Sequence, residues 1–453
     1  MSAAVYSVPA DPALPELQEL FPVSGAPGFV ARMVQEVTGR PVTQETAELC
    51  HVRYRPTRNC VVLWSFSNPS GVPFLVSGLS GDGTGGTARA SFERSAEMVR
   101  AALGGKCPYQ YVPERRLLLQ VFPLDTRLPG LALAASETRI REPFCRSLGL
   151  DCEHVRITDL VPVNYKPWRR CVLRYGVEIR GRPVQYFGKV FRDDRGEPMA
   201  ARLRAVRDQL LASGSSWDLA APASYVPEAR MLVLEGVEQS EELSAFLRQA
   251  VYDPQARETL EDEIARIAEG LRAFQSIAVE GLPCVGPQDV LSDHEAELDG
   301  LLHVAPALAE SMRVRLRTLE ATASRLPAEE MVLGHGAFRY NQFLRSGEKL
   351  IILDLDALRL AGAGADAGEF LAYLDLAALR GSRLRPILPT CEEVFLSHLS
   401  ERGRADPRWV AWYRAASHVK WAQRTFFSLR PEWPDLTRGL LQAADQMLGG
   451  LPA

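Results

Sequence analysis

The sequence lacks any apolar run long enough to cross a membrane. No stretch approaches the roughly 18 consecutive apolar residues that a bilayer-spanning helix needs. The N-terminal segment "MSAAVYSVPADPALPEL" has neither the basic residues nor the apolar core of a secretory signal. We therefore expect no membrane association and a cytoplasmic location.

Metal-binding and disulfide patterns are also absent. The eight cysteines include no Cys-x-x-Cys pair, and the seven histidines lack the spacing of metal ligands. We expect the cysteines to be reduced, mostly buried thiols. A formal net charge of −4 provides no excess of basic residues, which argues against a nucleic-acid-binding surface.

The clearest feature that is present is an internal repeat. The stretch "HVRYRPTRNCVVLWSF" at 51–66 returns 111 residues later as "PVNYKPWRRCVLRYGV", and "YVPERRLLL" at 111–119 returns 114 residues later as "YVPEARMLV". Identical pairs in the first stretch include Tyr54 and Tyr165, Pro56 and Pro167, Arg58 and Arg169, and Cys60 and Cys171. Two matches in the same order, at nearly the same offset, indicate a duplicated module rather than a coincidence of common strand residues.

Both copies predict the same elements. An amphipathic helix, "GFVARMVQEVTG" or "EPFCRSLGL", precedes two strands joined by a proline-containing turn. In the second copy "CVLRYGVEI" alternates apolar and polar residues as a half-buried strand does, and "GEPMAARLRAVRDQLLA" has helical periodicity. The predicted order is three strands, a helix and two strands.

The second half of the chain is mostly helical by its apolar periodicity, with one short β segment at 331–356 that turns at Gly347. The predicted fold class is α+β, with two tandem small β-rich lobes followed by a mostly helical large lobe. The predicted domains are 1–135 for the first small lobe, 136–250 for the second and 251–453 for the large lobe.

Three motifs in the second half lie in a characteristic order. They are "LGHGAFRYNQFL" at 333–344, "LIILDLDALRL" at 350–360, and Asp366 ten residues beyond Asp356. Together they resemble the aminoglycoside phosphotransferase and choline kinase superfamily of small-molecule kinases, whose patterns are HGDxxxxN, IDFD and a further Asp before a helix. The resemblance implies a protein-kinase-like fold that binds ATP and Mg²⁺ between the second small lobe and the large lobe. It covers residues ~160–380 directly and the first 130 only through the repeat.

The resemblance implies a magnesium site after the apolar run "LIIL". Magnesium bridges nucleotide phosphates in phosphoryl transfer and prefers oxygen ligands. Asp354 is the predicted first ligand, Asp356 on the same strand face the second, and Gln342 takes the place of the family's Asn. Asn341 is an alternative amide ligand. In the other interpretation, the two aspartates only make hydrogen bonds at the end of a hairpin.

A lysine in the second copy fits the family's phosphate-binding position. Lys189, in "YFGKVF", falls on the third strand, where a solvated edge position is the alternative. Alignment of the two copies places Leu79 at the equivalent position of the first. The first lobe is therefore predicted to bind no nucleotide and to buttress the second lobe.

Two further segments match nucleotide contacts of the family. The turn "YKPWRR" lacks glycines, but Lys166, Arg169 and Arg170 are predicted to contact phosphates, unless they form an ordinary solvated turn. "LEGVE" matches the interlobe hinge, where the backbone of Glu235 and Val237 is predicted to bind the adenine edge.

Ala337 is the main departure from the family pattern. In the family that the motifs resemble, this position holds the aspartate that accepts or orients the acceptor hydroxyl, and losing a general base typically costs about 10²–10⁴ in rate. The usual Gly-Asp-Pro after the aspartate strand is also replaced, by "AGA" at 361–363. His335 and Arg339 are the predicted catalytic residues, acting by electrostatics or by proton relay.

The sequence thus predicts an ATP-dependent small-molecule phosphotransferase that acts on an unidentified small-molecule acceptor and whose activity the alanine at position 337 would lower. The alternative is a pseudokinase that senses nucleotide or serves as a scaffold. A third interpretation is a purely structural interaction protein that docks a protein partner through the first repeat. The acceptor is expected against the C-terminal helices, among aromatic residues whose helical spacing is equally typical of a core: Trp412, Trp421, Phe426 and Phe427.

Overall fold

The computed structural model describes residues 6–39, 42–43, 46–67, 73–82, 90–400 and 404–451. The first five residues, part of the segment compared with a secretory signal, lie outside this description. The chain divides into two units. The first comprises residues 1–200, 222–236 and 427–431, and the second comprises 201–221, 237–426 and 432–453. The first unit contains the β-strands of both repeats.

The first repeat forms an antiparallel sheet of five strands. Its strands are β1 (Ala47–Arg55), β2 (Asn59–Phe66), β3 (Phe74–Gly81), β4 (Tyr109–Val112) and β5 (Leu117–Val121). Helix α1 (Gly28–Thr38) precedes them, and α2 (Ala90–Ala102) lies between β3 and β4. The strand order in the sheet is β1-β2-β3-β5-β4.

The second repeat has the same architecture. Its sheet contains β6 (Val155–Lys166), β7 (Arg170–Ile179), β8 (Arg182–Phe191), β10 (Pro222–Val226) and β11 (Met231–Glu235), in the order β6-β7-β8-β11-β10. The helices are α3 (Leu131–Ala134), α4 (Glu137–Leu148) and α5 (Gly196–Ala212), and the short β9 (Trp217–Leu219) belongs to a different sheet. The predicted order of three strands, a helix and two strands is confirmed in both copies.

Strand pairing places Leu79 and Lys189 at equivalent positions. Leu79 lies opposite Val61 and Leu118 in the first sheet, and Lys189 lies opposite Val172 and Leu232 in the second. The opposing residues are themselves repeat equivalents. The sequence alignment of the two repeats therefore agrees with the strand register of the two sheets.

The first sheet buries its Leu79 face against the second repeat. Residues opposite one another in a sheet share a face, so Val61 and Leu79 point the same way. Trp168, from the turn between β6 and β7, packs with both of them in one apolar cluster. Leu63 and Leu75 join the apolar core of the second repeat. The face that corresponds to the Lys189 face is thus covered by protein. That the first lobe buttresses the second and binds no nucleotide stays a prediction.

A buried aspartate anchors the first turn of each repeat. Asp11 accepts hydrogen bonds from the Tyr54 hydroxyl (2.7 Å) and the Thr57 amide (2.8 Å). Asp125 accepts equivalent bonds from the Tyr165 hydroxyl (2.9 Å) and the Trp168 amide (2.8 Å). The two aspartates begin "DPALPEL" and "DTRLPGL", which are 114 residues apart. This third part of the repeat was missed in the sequence analysis, although the shared Asp-x-x-Leu-Pro-x-Leu pattern could have revealed it.

The second unit is mainly helical, as predicted. Its helices are α6 (Leu243–Gln249), α7 (Pro254–Gln275), α8 (Pro287–Val304), α9 (Pro306–Ala323), α10 (Ala365–Arg380), α11 (Leu388–Ser400), α12 (Pro407–Ser428) and α13 (Trp433–Gly449), with the last residues of α12 assigned to the first unit. Its strands are β9, β12 (Glu241–Glu242), β13 (Cys284–Val285), β14 (Met331–Gly334), β15 (Phe343–Ser346), β16 (Lys349–Ile352) and β17 (Arg359–Gly362). They form two small sheets, β12-β15-β16-β9 and β13-β17-β14.

A buried aromatic cluster holds the motif-bearing segment in place. Trp217 contacts Phe274, Phe338 and Phe343, with ring centroids 5.2–5.8 Å apart. Helix α7 can approach the Trp217 indole because residue 270 is glycine, where a Cβ would lie 1.8 Å from the indole nitrogen. Phe338 belongs to the histidine–glycine loop, so this packing fixes one end of that loop.

Two sequence expectations about the whole chain can be compared with the structure. All eight cysteines are free thiols, but only four are buried, so the prediction that most are buried is wrong. No helix within the described residues combines the length and the apolarity needed to span a bilayer.

Candidate active site

The histidine–glycine loop begins where β14 ends. Gly336 follows His335 with a positive φ of 76°, and a Cβ there would lie 2.4 Å from the Ala357 carbonyl oxygen. Only glycine fits both the backbone conformation and this close approach. The loop is therefore packed directly against the turn that follows the aspartate strand.

Asp366 stabilises the loop by accepting two backbone hydrogen bonds from it. Its carboxylate is 3% exposed and accepts hydrogen bonds from the backbone amides of His335 (2.7 Å) and Gly336 (3.1 Å). Burial raises the pKa of Asp366, and the His335 ring, these amides and Arg359 oppose that rise. The aspartate that the sequence motif places before a helix thus fixes the conformation of the loop.

Both ring nitrogens of His335 are engaged. The Ala337 amide donates to Nδ1 (3.2 Å), which makes Nε2 the protonated nitrogen that donates to the Leu353 carbonyl (2.8 Å). The side chain is fully buried. This arrangement joins the loop to the end of β16 and favours a positioning role. Proton relay by His335 stays a prediction, and the geometry does not favour it.

The hairpin of β15 and β16 brings two predicted metal ligands to adjacent positions. The Leu353 amide donates to the Gln342 carbonyl (2.8 Å), so Gln342 lies across from the residue just before Asp354. Asp354 is half-buried and has a positive φ of 61°, which is uncommon for a non-glycine residue. Backbone strain of this kind concentrates at functional sites.

Asp356 does not lie on the same strand face as Asp354. Strand β16 ends at Ile352, and a 3₁₀ turn at Leu355–Ala357 contains Asp356. That part of the prediction is wrong because strand alternation does not extend past the left-handed residue. Asp356 is also half-buried, and its role as a ligand stays a prediction.

The oxygen donors of Asp354 and Gln342 fit a magnesium ion whose other ligands would come from a nucleotide and water. Within the described residues, no three His, Cys, Asp or Glu side chains come together as a metal site. Asp354 and the Gln342 amide offer the oxygen atoms that magnesium prefers, with nucleotide phosphates and water supplying the others. Asn341 is exposed, and its side-chain amide donates to the Tyr373 hydroxyl (3.3 Å).

Arg339 folds back over the loop. Its Nε donates to the Ala337 carbonyl (3.1 Å), and its guanidinium lies 5.4 Å from the Tyr373 ring and 5.6 Å from the Trp421 ring. These contacts hold a cation beside the position where the family carries its aspartate. Ala337 itself is half-buried.

A buried ion pair lies next to Arg339 and was not found by sequence reasoning. Lys420 Nζ is 2.7 Å from a Glu369 carboxylate oxygen. Burial lowers the pKa of Lys420 to about 8 against the opposing effect of Glu369. Burial alone would raise the pKa of Glu369, but Lys420 and Arg339 bring it below its ordinary value. The helical positions of the two residues carried no signal, because their pairing depends on tertiary packing.

The aromatic residues expected near an acceptor are mostly core. Trp412 is fully buried and Phe426 is 1% exposed. Trp421 is 7% exposed and contacts Arg339, so it is the member of the set that adjoins the loop. Phe427 is half-buried. The acceptor position stays a prediction.

Lys189 is not a solvated edge residue. It is 7% exposed on β8, which lies between β7 and β11, and its Nζ is 5.8 Å from the Phe191 ring. Burying an ammonium group is costly unless it is paired or hydrogen-bonded. The alternative of an exposed edge lysine is therefore excluded.

The basic turn of the second repeat is anchored rather than free. Trp168, at a positive φ of 67°, inserts against the first sheet as described above. Lys166 and Arg170 are half-buried and Arg169 is exposed. Burial, together with Lys166 and Arg169, lowers the pKa of His51 to about 4, which places both cations near the first repeat. Phosphate binding by the three residues stays a prediction.

The predicted hinge coincides with the division of the chain into units, which falls between Gly236 and Val237. Glu235 ends β11 opposite Tyr186, and the Val237 carbonyl accepts a hydrogen bond from the Ser240 hydroxyl (3.1 Å). Adenine binding at Glu235 and Val237, and the domain boundaries at 135 and 250, stay predictions.

Comparison with known proteins gives a similarity of fold alone. No family model matches the chain, and no curated protein matches it. Among solved structures, a glucosamine kinase in complex with glucosamine, ADP and inorganic phosphate is 13% identical, with a TM-score of 0.44, 93% of this chain covered and 99% of that one. An amicoumacin kinase in complex with AMP-PNP and Ca²⁺ is 13% identical, with a TM-score of 0.47 and coverage of 69% and 94%.

A choline/ethanolamine kinase family protein from Mesorhizobium loti is likewise 13% identical, with a TM-score of 0.43 and coverage of 64% and 87%. These proteins are of the kind that the sequence motifs resemble. At such identities and TM-scores they carry no conclusion about function, which depends on the residues of the site.

Proposed function

We propose that the chain is an ATP-dependent small-molecule phosphotransferase of the aminoglycoside and choline kinase type, working in the cytoplasm with Mg²⁺. The observation that carries the proposal is the bonding of the histidine–glycine loop to the aspartate hairpin. His335 donates to the carbonyl just before Asp354, and Asp366 accepts the amides that shape the loop. These hydrogen bonds are present although position 337 of the loop holds alanine instead of the family's aspartate.

Each residue has a defined part in the proposed chemistry. Asp354 and Gln342 would hold Mg²⁺, which when bound neutralises charge on the transferred phosphoryl group. Buried Lys189 would contact phosphate oxygens as a point charge. His335 and Asp366 position the loop, and Arg339 places a positive charge beside residue 337. Since no carboxylate stands at position 337, the acceptor hydroxyl would have to lose its proton without the family's general base.

A pseudokinase is the second candidate, and one observation favours it. Arg339 donates to the Ala337 carbonyl and packs on Tyr373 and Trp421, so it occupies space beside the missing base. A protein that binds nucleotide only to change its own stability or its partners transfers no phosphate. It would not need the space beside residue 337 for an acceptor hydroxyl. The first repeat is the surface through which such a protein would meet a partner.

The test restores the missing carboxylate. Ala337→Asp and the isosteric control Ala337→Asn are compared with the wild type for ATP turnover, with water and with a panel of amino alcohols and sugars. We expect the Asp variant to gain up to ~10²–10⁴ in rate and the Asn variant to gain little, because only the carboxylate can accept a proton. Arg339 would keep the new carboxylate ionised.

Two results would count against the phosphotransferase. If Asp and Asn raise turnover equally, the gain comes from packing and not from a base. If neither variant turns over ATP while Mg²⁺ and ATP still bind, the pseudokinase is the better description.

A further inference from the structure

A cavity on the described part of the first unit lies on the seam between the two repeats and is lined by four arginines. Its volume is ≈ 580 Å³. Helix α2 of the first repeat supplies Arg94, and the segment that follows Asp125 supplies Arg127. The end of β8 supplies Arg192, and the turn between β10 and β11 supplies Arg230. None of these residues belongs to the candidate active site.

The two carboxylates on the wall are already engaged. Asp194 lies 3.4 Å from Arg230 Nε and accepts a hydrogen bond from the Tyr225 hydroxyl (3.2 Å). Glu228 pairs with Arg146, which does not line the cavity, at 2.8 Å. The negative charge of the wall is thus balanced by Arg230 and by a residue outside it.

Arg94, Arg127 and Arg192 form no ion pair with any carboxylate of the described chain. Arg127 is held in place by the Trp168 ring, 4.9 Å from its guanidinium. The Thr126 hydroxyl on the same wall is buried and has no hydrogen-bond partner in the described structure. Arginine forks and a hydroxyl are groups that bind phosphoryl and carboxylate oxygens.

Comparison of the repeats shows that these charges are not part of the shared fold. Arg230 has an equivalent in Arg116, but the positions equivalent to Arg127 and Arg192 are Ala13 and Asp82. Arg127 and Arg192 therefore occur only in the second copy, whereas Arg94 comes from the first. The repeat architecture alone does not require them.

We propose that this cavity binds a small metabolite with two or more anionic groups, phosphoryl or carboxyl. Its apolar wall, which includes Met98 and Leu133, would take the organic part of the ligand. The proposal does not depend on nucleotide binding at Lys189.

The experiment measures binding of inorganic pyrophosphate and of citrate to the full-length protein by calorimetry at constant ionic strength. Arg94→Gln and Arg192→Gln are compared with Arg32→Gln, an exposed arginine on α1 that serves as the control. We expect each cavity variant to weaken the preferred anion about 10- to 100-fold and the control to leave it unchanged. A preference for pyrophosphate identifies a phosphorylated ligand, and a preference for citrate identifies a polycarboxylate.

Lys189→Ala separates this site from the proposed nucleotide site, because it should leave anion binding to the cavity intact. Wild-type binding that survives Arg94→Gln and Arg192→Gln would overturn the proposal. So would the absence of binding by the wild type to both anions. Arg94 and Arg192 are exposed, so their replacement should not prevent folding.

Discussion

Replacing Asp366 should loosen the histidine–glycine loop and destabilise the fold measurably. In Asp366→Ala the buried amides of His335 and Gly336 lose their acceptor, and water cannot replace it at a position that is 3% exposed. Each buried donor left without a partner costs about 1–3 kcal/mol. We therefore expect the free energy of unfolding to fall by about 2–6 kcal/mol.

Asp366→Asn should have roughly half this effect. The asparagine oxygen can still accept one amide, while its own NH₂ group would face the other. The control is Asp293→Ala, an exposed aspartate on α8, which should change stability by less than about 0.5 kcal/mol.

The assay is urea denaturation of the full-length protein, combined with hydrogen exchange at the amides of residues 335 and 336. Exchange should accelerate in Asp366→Ala and not in Asp293→Ala. If Asp366→Ala costs no more than the control, or leaves these amides protected, Asp366 does not support the loop and our description of the site is wrong.

Four further substitutions test the repeats and His294, a buried histidine on α8. Asp11→Ala and Asp125→Ala each remove the acceptor of a tyrosine hydroxyl and a turn amide, so urea denaturation should show similar losses of about 2–4 kcal/mol; a large effect at one site only would contradict their equivalence. Leu79→Lys places an ammonium group in the cluster with Trp168 and should destabilise by about 3 kcal/mol or more, whereas a stable variant would show that this face is open. Burial lowers the pKa of His294 to about 4, so its contribution to stability is present above pH 6.5 and is lost as the pH falls to 4. His294→Gln should remove up to about 3 kcal/mol of that pH dependence in unfolding titrations, and an unchanged slope would contradict the pKa.

The repeat architecture could be predicted from sequence because strand signals are local. Alternating residues and shared turn residues gave the order of elements, and the alignment of Leu79 with Lys189 agrees with the strand register. The bonding of Asp11 and Asp125 could not be derived from sequence, because each lies about 40 residues before the tyrosine that it binds. Only the folded structure brings them together.

The motifs of the candidate site could be identified in the sequence, but their bonding could not be derived from them. Strand alternation put Asp356 beside Asp354, and the left-handed backbone at Asp354 ends that alternation. The pairing of Glu369 with Lys420 depends on two helices meeting, for which spacing along the chain gives no signal. The seam cavity likewise combines arginines from four separate segments.

Calorimetric binding of ATP, with and without Mg²⁺, tests most directly whether the chain has a kinase-type nucleotide site. The wild type should bind ATP more tightly with Mg²⁺, and ATP at 100 times its Kd should stabilise the fold by about 2.7 kcal/mol. Asp354→Asn should abolish the Mg²⁺-dependent part and Lys189→Ala should weaken ATP itself, while the exposed control Asp293→Asn should bind as the wild type does. No binding of any nucleotide to the wild type, with or without metal, would contradict both the phosphotransferase and the pseudokinase.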